Sequence, residues 1–111
     1  MAGKFELKKA KDGQFYFNLK ASNGKVVLTS ELYTEKRGAQ NGIDSVRKNA
    51  PNDARYERKQ GNSGQPYFIL KAANGETIGR SETYTGTTGV TRGIASVKKH
   101  APDAALSDLS A

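Results

Sequence analysis

The chain has 111 residues, of which 35% are hydrophobic and 26% charged, an ordinary balance for a single folded domain. No apolar run approaches the length of a membrane span, and the polar start MAGKFELKK lacks the apolar core of a secretory signal, so we expect a cytoplasmic protein with no membrane insertion. The absence of cysteine excludes disulfides, thiolate metal sites and thiol nucleophiles. The net charge of +7 favours an anionic partner such as nucleic acid or an acidic protein, although it also promotes solubility.

The sequence is a tandem repeat. Residues 5–51 align with residues 56–102 without a gap, and 23 of the 47 paired positions are identical. Because a unit of about fifty residues buries too little surface to be stable alone, the two repeats are predicted to share one core. We therefore predict one composite domain over residues 1–111, with a tail at 103–111 that is either a frayed end or a short added strand.

The first predicted strand, FELKK, places Phe5 and Leu7 on its inner side. The loop that follows is predicted to contain three residues, Lys11-Asp12-Gly13, because this length keeps the inner face consistent. A two-residue turn would instead set Leu7 against Asn18, so we reject it.

The next two strands are predicted to be joined by a two-residue turn at Asn23-Gly24, since Asn-Gly is preferred where both residues need a positive φ. The resulting register pairs inner residues Ala21–Val26, Leu19–Leu28, Phe17–Ser30 and Phe15–Leu32. The second repeat, turning at residues 74–75, gives Ala72–Thr77, Leu70–Gly79, Phe68–Ser81 and Pro66–Thr83. This second face is the more polar one, and Pro66 predicts a strand start, an edge or a bulge.

Each repeat ends in an amphipathic helix, the first from about residue 37 to residue 49. The apolar or small residues at helical spacing are Ala39, Gly42, Ile43, Val46 and Ala50, and then Val90, Gly93, Ile94, Val97 and Ala101. Glycine lowers helix stability by about 1 kcal/mol relative to alanine. Gly42 and Gly93 therefore predict points where the helix approaches the sheet closely.

The helix boundaries are predicted from short signals. Thr34 and Thr85 are the candidate N-caps. Pro51 and Pro102 follow the last apolar positions, where a helix cannot continue.

Together these elements predict an α+β fold, with one pseudo-symmetric antiparallel sheet and two helices on one face. Over residues 3–102, the two copies, with YFNLKASNGK and GIDSVRKNAP in one and YFILKAANGE and GIASVKKHAP in the other, resemble the YegP family of small bacterial proteins. The resemblance implies units of three strands and a helix joined in one sheet, with the segment after each helix crossing to the other unit. It implies no activity, and it carries over no catalytic or binding residues.

The sequence offers little for catalysis. His100, the single histidine, lies in KKHAP beside a helix end and is interpreted as a cation near the helix C-terminus. The glycines at 86, 89 and 93 match neither a dinucleotide fingerprint nor a P-loop. We expect no enzymatic activity, no cofactor and no metal site.

The outward side of the predicted sheet is the candidate binding surface. The candidate residues are Lys8, Tyr16, Lys20, Lys59, Tyr67 and Lys71. In the predicted register Tyr16 lies between Lys8 and Glu31, and the second repeat repeats this row with Lys59, Tyr67 and Glu82. Lysines beside an aromatic ring suit a single-stranded nucleic acid.

Two other interpretations of the charged residues stay open. The rows are also compatible with a solvated ladder that only stabilises the sheet, and the glutamates favour that interpretation. The basic pairs 47–48 and 98–99 are accounted for by the helix dipole, although they would add to an anion-binding surface if they lay together. The functional hypothesis is a non-enzymatic binding module for nucleic acid or another polyanion; the alternative is a protein-interaction or assembly module that uses a sheet edge.

Overall fold

The computed structural model describes residues 3–110 and shows one seven-stranded sheet with two helices over this range. The strands are β1 (Lys4–Lys9), β2 (Phe15–Lys20), β3 (Val26–Ser30), β4 (Tyr56–Gln60), β5 (Pro66–Lys71), β6 (Thr77–Arg80) and β7 (Ala105–Asp108). The helices are α1 (Lys36–Asn49) and α2 (Thr87–His100), and 3₁₀ turns follow at Asp53–Arg55 and Ala101–Asp103. The strand order is β4-β5-β6-β3-β2-β1-β7, and both repeats contribute to one continuous core, as predicted.

The first hairpin has the predicted three-residue loop. The amide of Ala10 donates to the carbonyl of Gln14 over 2.7 Å, and Gly13 takes a φ of 88°. Leu7 consequently lies opposite Phe17, and both side chains are fully buried.

The predicted two-residue turn at Asn23-Gly24 is wrong. The amide of Ala21 donates to the carbonyl of Lys25 over 2.9 Å, which makes a three-residue loop, and only Gly24 takes a positive φ, of 84°. The Asn23 side chain provides the physical reason, since its Oδ1 accepts the amide of Lys25 at 3.0 Å and holds Asn23 on the negative-φ side.

A β-bulge restores the predicted register one step further along. Lys20 lies opposite Val26, but Leu19 lies opposite Leu28, so Val27 is an extra residue in β3. The predicted Leu19–Leu28 pair is confirmed, whereas Ala21–Val26 is wrong. In the second repeat Leu70–Gly79 is confirmed, Ala72–Thr77 is wrong, and Lys71 lies opposite Thr77.

The ends of β3 and β6 also differ from the prediction. Ser30 accepts the amide of Phe17 at its Oγ (2.8 Å) and donates to the carbonyl of Glu31 (2.8 Å), so a side chain replaces the backbone in the ladder. The register shifts by one residue, and Phe15 pairs with Tyr33, leaving the predicted partner Leu32 53% exposed. The equivalent prediction of Pro66–Thr83 fails in the same way, because the amide of Tyr84 bonds the carbonyl of Pro66 over 2.8 Å.

The helices pack on one face of the sheet through the predicted glycines. A Cβ at Gly42 would lie 2.9 Å from Cε2 of Phe17, and one at Gly93 would lie 2.9 Å from Cε2 of Phe68. The predicted apolar positions are buried except Ile94, which is half-buried.

The predicted threonine N-caps are wrong. Glu35 and Gly86 occupy the cap positions, and neither makes a side-chain cap hydrogen bond. Each threonine lies one residue too early, because the tyrosine before it is fixed against the sheet. Both helices end before the prolines, as predicted.

The segments that follow the helices cross between the repeats. Arg47 on α1 donates to the carbonyl of Ala104 over 2.7 Å, and Lys98 on α2 pairs with the carboxylate of Asp53. The tail forms β7, which pairs with β1 in parallel, so the sheet is mixed rather than purely antiparallel. Of the two alternatives for the tail, the short added strand is confirmed.

Strand β7 makes the two repeats unequal. It covers β1, whose Phe5 and Leu7 are fully buried, whereas β4 is an edge strand. The residues of β4 that correspond to Phe5 and Leu7 are Tyr56, which is half-buried, and Arg58, which is exposed.

We expect Gly42→Ala and Gly93→Ala each to destabilise the fold, although alanine favours a helix. The new Cβ would overpack the core at a cost of about 1–3 kcal/mol, which exceeds the gain in helix propensity of about 1 kcal/mol. Urea unfolding would measure the difference. Gly61→Ala is the control, because Gly61 lies outside both helices, its φ is not positive, and a Cβ there would meet no atom closer than 3.6 Å; equal stability of all four proteins would contradict the packing argument.

Candidate binding face on the sheet

The face of the sheet opposite the helices, called the outer face, carries one row of side chains across all seven strands. In sheet order the row is Glu57, Ile69, Arg80, Thr29, Asn18, Glu6 and Ser107. Three of these seven are buried: Ile69, Asn18 and Glu6. The candidate residues flank this central row on both sides.

The two predicted Lys–Tyr pairs are present in the structure. Lys8 lies opposite Tyr16, and Lys59 lies opposite Tyr67. Both tyrosines are half-buried, so each ring keeps an exposed part. Lys20 lies opposite Lys4, which the sequence interpretation did not include.

The candidate residues form two separate patches. One lies on β1 and β2 and the other on β4 and β5, with Lys8, Tyr16 and Lys20 in the first and Lys59, Tyr67 and Lys71 in the second. Strands β2 and β5 run antiparallel to each other, because β2, β3, β6 and β5 are successive antiparallel neighbours. Tyr16 and Tyr67 therefore lie on opposite sides of the central row. Strand spacing and rise place the two rings about 20 Å apart.

The predicted partners Glu31 and Glu82 lie beyond the ends of β3 and β6, and the carboxylates that contact the lysines are Glu6 and Glu57 instead. The carboxylate of Glu6 forms salt bridges with three lysines: Lys4 at 3.3 Å, Lys8 at 3.5 Å and Lys20 at 3.1 Å. The carboxylate of Glu57 forms salt bridges with Lys59, at 3.4 Å, and with Lys71. The sequence carried this signal, because alternate residues of a strand share a face and Lys4, Glu6 and Lys8 are alternate residues.

The two carboxylates differ in burial. The side chain of Glu6 is 8% exposed, whereas that of Glu57 is 42% exposed, because β7 covers β1 and nothing described covers β4. Hydrogen bonds and charge from the lysines, Lys20 first, hold the pKa of Glu6 below its ordinary 4.5, although burial opposes this effect. Lys71 and then Lys59 likewise lower the pKa of Glu57.

The basic residues at the helix ends do not add to the outer face. Arg47 and Lys98 are held in the crossing contacts described above, and Arg47 also lies over the ring of Phe5 at 5.2 Å. Lys48 and Lys99 are exposed on the helices.

His100 is a packed residue at the C-terminal end of α2, the position that the sequence predicted for it. It is 6% exposed, and its Nδ1 lies 2.8 Å from the carbonyl and 3.2 Å from Oγ of Ser96. Asn49, at the matching position, makes the same two contacts to Ser45 with Nδ2, which can only donate. Nδ1 of His100 is therefore assigned as a donor to the carbonyl of Ser96, which can only accept.

The buried Nε2 of His100 has no partner among the described residues. In the first repeat the matching Oδ1 of Asn49 accepts from Nε of Arg55 over 2.9 Å. The residue aligned with Arg55 is Leu106, whose side chain has no hydrogen-bond donor.

Within residues 3–110, no three His, Asp or Glu side chains converge in a way that could bind a metal ion. In the same range, neither helix has the length and apolar content needed to cross a membrane.

The similarity to known proteins extends over nearly the whole chain. The domain of unknown function DUF1508 matches residues 10–57 and again 62–108. A UPF0339 protein of Pseudomonas aeruginosa is 53% identical over 99% of this chain and 100% of its own length. The chain belongs to the UPF0339 family. The UPF0339 protein YegP of Yersinia pestis is 49% identical over 97% of this chain and 96% of its own length.

Solved UPF0339 structures have the same fold. The solution structure of the Shewanella oneidensis protein matches with a TM-score of 0.92 at 48% identity, covering 99% of this chain and 93% of that one. The Escherichia coli YegP structure, described as a protein of unknown function, matches with a TM-score of 0.94 at 50% identity and covers 99% and 95%. These relatives support the fold and supply no activity.

We expect Glu6→Gln to lower the free energy of unfolding by about 1 kcal/mol at neutral pH, because three lysines lose their shared carboxylate but keep access to water. Glu57→Gln should cost less, since its site is more exposed. The folded pKa of Glu6 is lowered, so its contribution is present above about pH 4.5 and is lost as the pH falls below that value.

Urea unfolding of the parent and both variants at pH 7 and at pH 3 tests this expectation. The gap between parent and Glu6→Gln should narrow at pH 3. A gap that is the same at both pH values would show that the carboxylate charge is not the cause.

Proposed function

We propose that this UPF0339 protein is a non-enzymatic binding module that acts in the cytoplasm and binds single-stranded nucleic acid across its outer face. One observation carries the proposal: among the described residues, six basic side chains on this face have only two carboxylate partners, Glu6 and Glu57, which five of the six contact. The six are Lys4, Lys8, Lys20, Lys59, Lys71 and Arg80. Such an excess of positive charge attracts a polyanion, and each phosphate contact releases counterions.

The two patches supply different parts of the interaction. Glu6 gathers three ammonium groups within 3.5 Å and leaves a local excess of two positive charges. This arrangement holds the lysines in place before a phosphate arrives, which lowers the ordering cost of binding. Beside each patch a half-buried tyrosine exposes part of its ring for a base to stack on. A single strand that spans about 20 Å would reach both rings.

The alternative, assembly through a sheet edge, has less support. The edge strand β4 carries Glu57, Arg58 and Lys59, and charged side chains on an edge oppose pairing with another strand. The other edge, β7, has four residues, which is short for a template.

Fluorescence anisotropy with a labelled single-stranded RNA, at two salt concentrations, tests the proposed function. The Tyr16→Ala, Tyr67→Ala double variant should weaken binding at least about tenfold, because stacking contributes about 1–3 kcal/mol per base. The Tyr16→Phe, Tyr67→Phe variant keeps both rings and should bind like the parent. Thermal unfolding would verify that each variant is folded.

A charge-matched pair of variants locates the binding surface. Lys8→Gln, Lys59→Gln should weaken binding and reduce the salt slope by about 1.4. Lys48→Gln, Lys99→Gln removes the same charge from the helices and should have little effect. Equal losses in the two variants, with no effect of the tyrosines, would reduce the interaction to general polyanion attraction; no binding at low salt would reject the proposal.

Glu57→Gln provides a gain-of-affinity prediction. It frees Lys59 and Lys71 from their carboxylate partner, so the variant should bind the same RNA severalfold more tightly at low salt. Unchanged or weaker binding would mean that these lysines do not contact the nucleic acid.

A further inference from the structure

Two pseudo-symmetric clefts lie where a hairpin loop of one repeat meets the helix of the other. The first, of about 850 Å³, lies between the β2–β3 loop and α2 and includes Lys25, Arg92 and Glu82. The second, of about 410 Å³, lies between the β5–β6 loop and α1 and includes Glu76, Asn41 and Glu31. We call them the basic cleft and the acidic cleft. They use none of the six basic residues of the outer face.

The floors of the two clefts are equivalent. In the basic cleft the ring of Tyr84 lies against the helix at Gly89 and Gly93, where added Cβ atoms would come within 2.9 Å and 3.0 Å of it. In the acidic cleft Tyr33 lies in the same way against Gly38 and Gly42. The floor of each cleft is therefore formed by a tyrosine ring packed against the glycine backbone of a helix, with the phenol hydroxyl at one end of the ring.

The charges at the rims have diverged in opposite directions. Lys25 corresponds to Glu76 of the acidic cleft, and Arg92 corresponds to Asn41, while the third rim residue is a glutamate in both clefts, Glu82 or Glu31. Burial and then the carboxylates Glu31 and Glu76 raise the pKa of Tyr33, which places both charges near its phenol. At Tyr84, burial and Glu82 have this effect.

The two cations of the basic cleft are available for a ligand. Neither Lys25 nor Arg92 forms an ion pair within residues 3–110, although eight other pairs do form there. Both side chains are exposed, and the cleft between them continues onto Val26 and the tyrosine ring. A cationic rim above an apolar floor suits a molecule with an anionic group and a flat apolar part.

We propose that the basic cleft is a binding site for a small organic anion, a phosphate monoester or carboxylate attached to an aromatic ring. Lys25 and Arg92 hold the anionic group, and the ring lies over Tyr84 and Val26. The acidic cleft presents the same floor but excludes the ligand through Glu76 and Glu31, so each chain binds one molecule.

Phenyl phosphate is a suitable probe, followed by amide chemical shifts in the full chain. The amides of Gly89 and Gly93 should shift saturably at millimolar concentrations, while those of Gly38 and Gly42 stay in place. Inorganic phosphate should bind the same cleft more weakly, because it lacks the ring. Equal shifts in both clefts, equal affinity of the two probes, or no saturable shift would each overturn the proposal.

Exchanging the rim charges gives matched variants at exposed positions, so that folding is preserved. The Lys25→Glu, Arg92→Asn variant copies the acidic rim onto the basic cleft and should weaken the binding of phenyl phosphate at least about tenfold. Glu76→Lys, Asn41→Arg should create binding at the other cleft, seen as new shifts at Gly38 and Gly42. Glu82→Gln should tighten binding at the basic cleft. If the affinity for phenyl phosphate is the same in the parent and in these variants, the rim charges do not form the binding site.

Discussion

The two halves of the sheet meet in one short strand pair at its centre. Thr29 lies opposite Arg80 and Ser30 opposite Gly79, and the amide of Glu31 then bonds the carbonyl of Ile78 over 3.1 Å. A Cβ at Gly79 would lie 2.7 Å from the carbonyl oxygen of Thr29, so only glycine permits this approach. A unit of about fifty residues buries too little surface to be stable alone, and this junction, together with the segments that cross between the repeats, joins the two units in one core.

The parts of the fold that follow from residue periodicity were predictable from the sequence. Alternation placed Phe5 and Leu7 inside and Lys8 beside Tyr16, and helical spacing identified the buried faces of α1 and α2. The turn at Asn23 was not predictable in this way, because a local side-chain hydrogen bond overrides the preference of the Asn-Gly pair. The bulge at Val27 compensates for the extra loop residue, so the predicted Leu19–Leu28 pair was right although the predicted turn was wrong.

The candidate site was predictable only in part. Six residues were placed on one face by register, but the carboxylate that organises three lysines was not recognised, because the prediction paired lysines across strands and not along one strand. The burial of Glu6 also depends on β7, whose position could not be predicted from the sequence. The tail aligns with the start of β4, but it pairs with β1 at the opposite edge of the sheet. Long-range strand placement of this kind is not encoded in local pattern.

The parallel pairing of β1 with β7 has a mechanical consequence. The two strands are the first and last within residues 3–110, and they run in the same direction, from Lys4 beside Ala105 to Leu7 beside Asp108. Tension between the chain ends would pull on the start of one strand and the end of the other, so the bonds of this ladder would be loaded together in shear. The strand that shields Phe5 and Leu7 from water thus also fastens the two ends of the protein against extension.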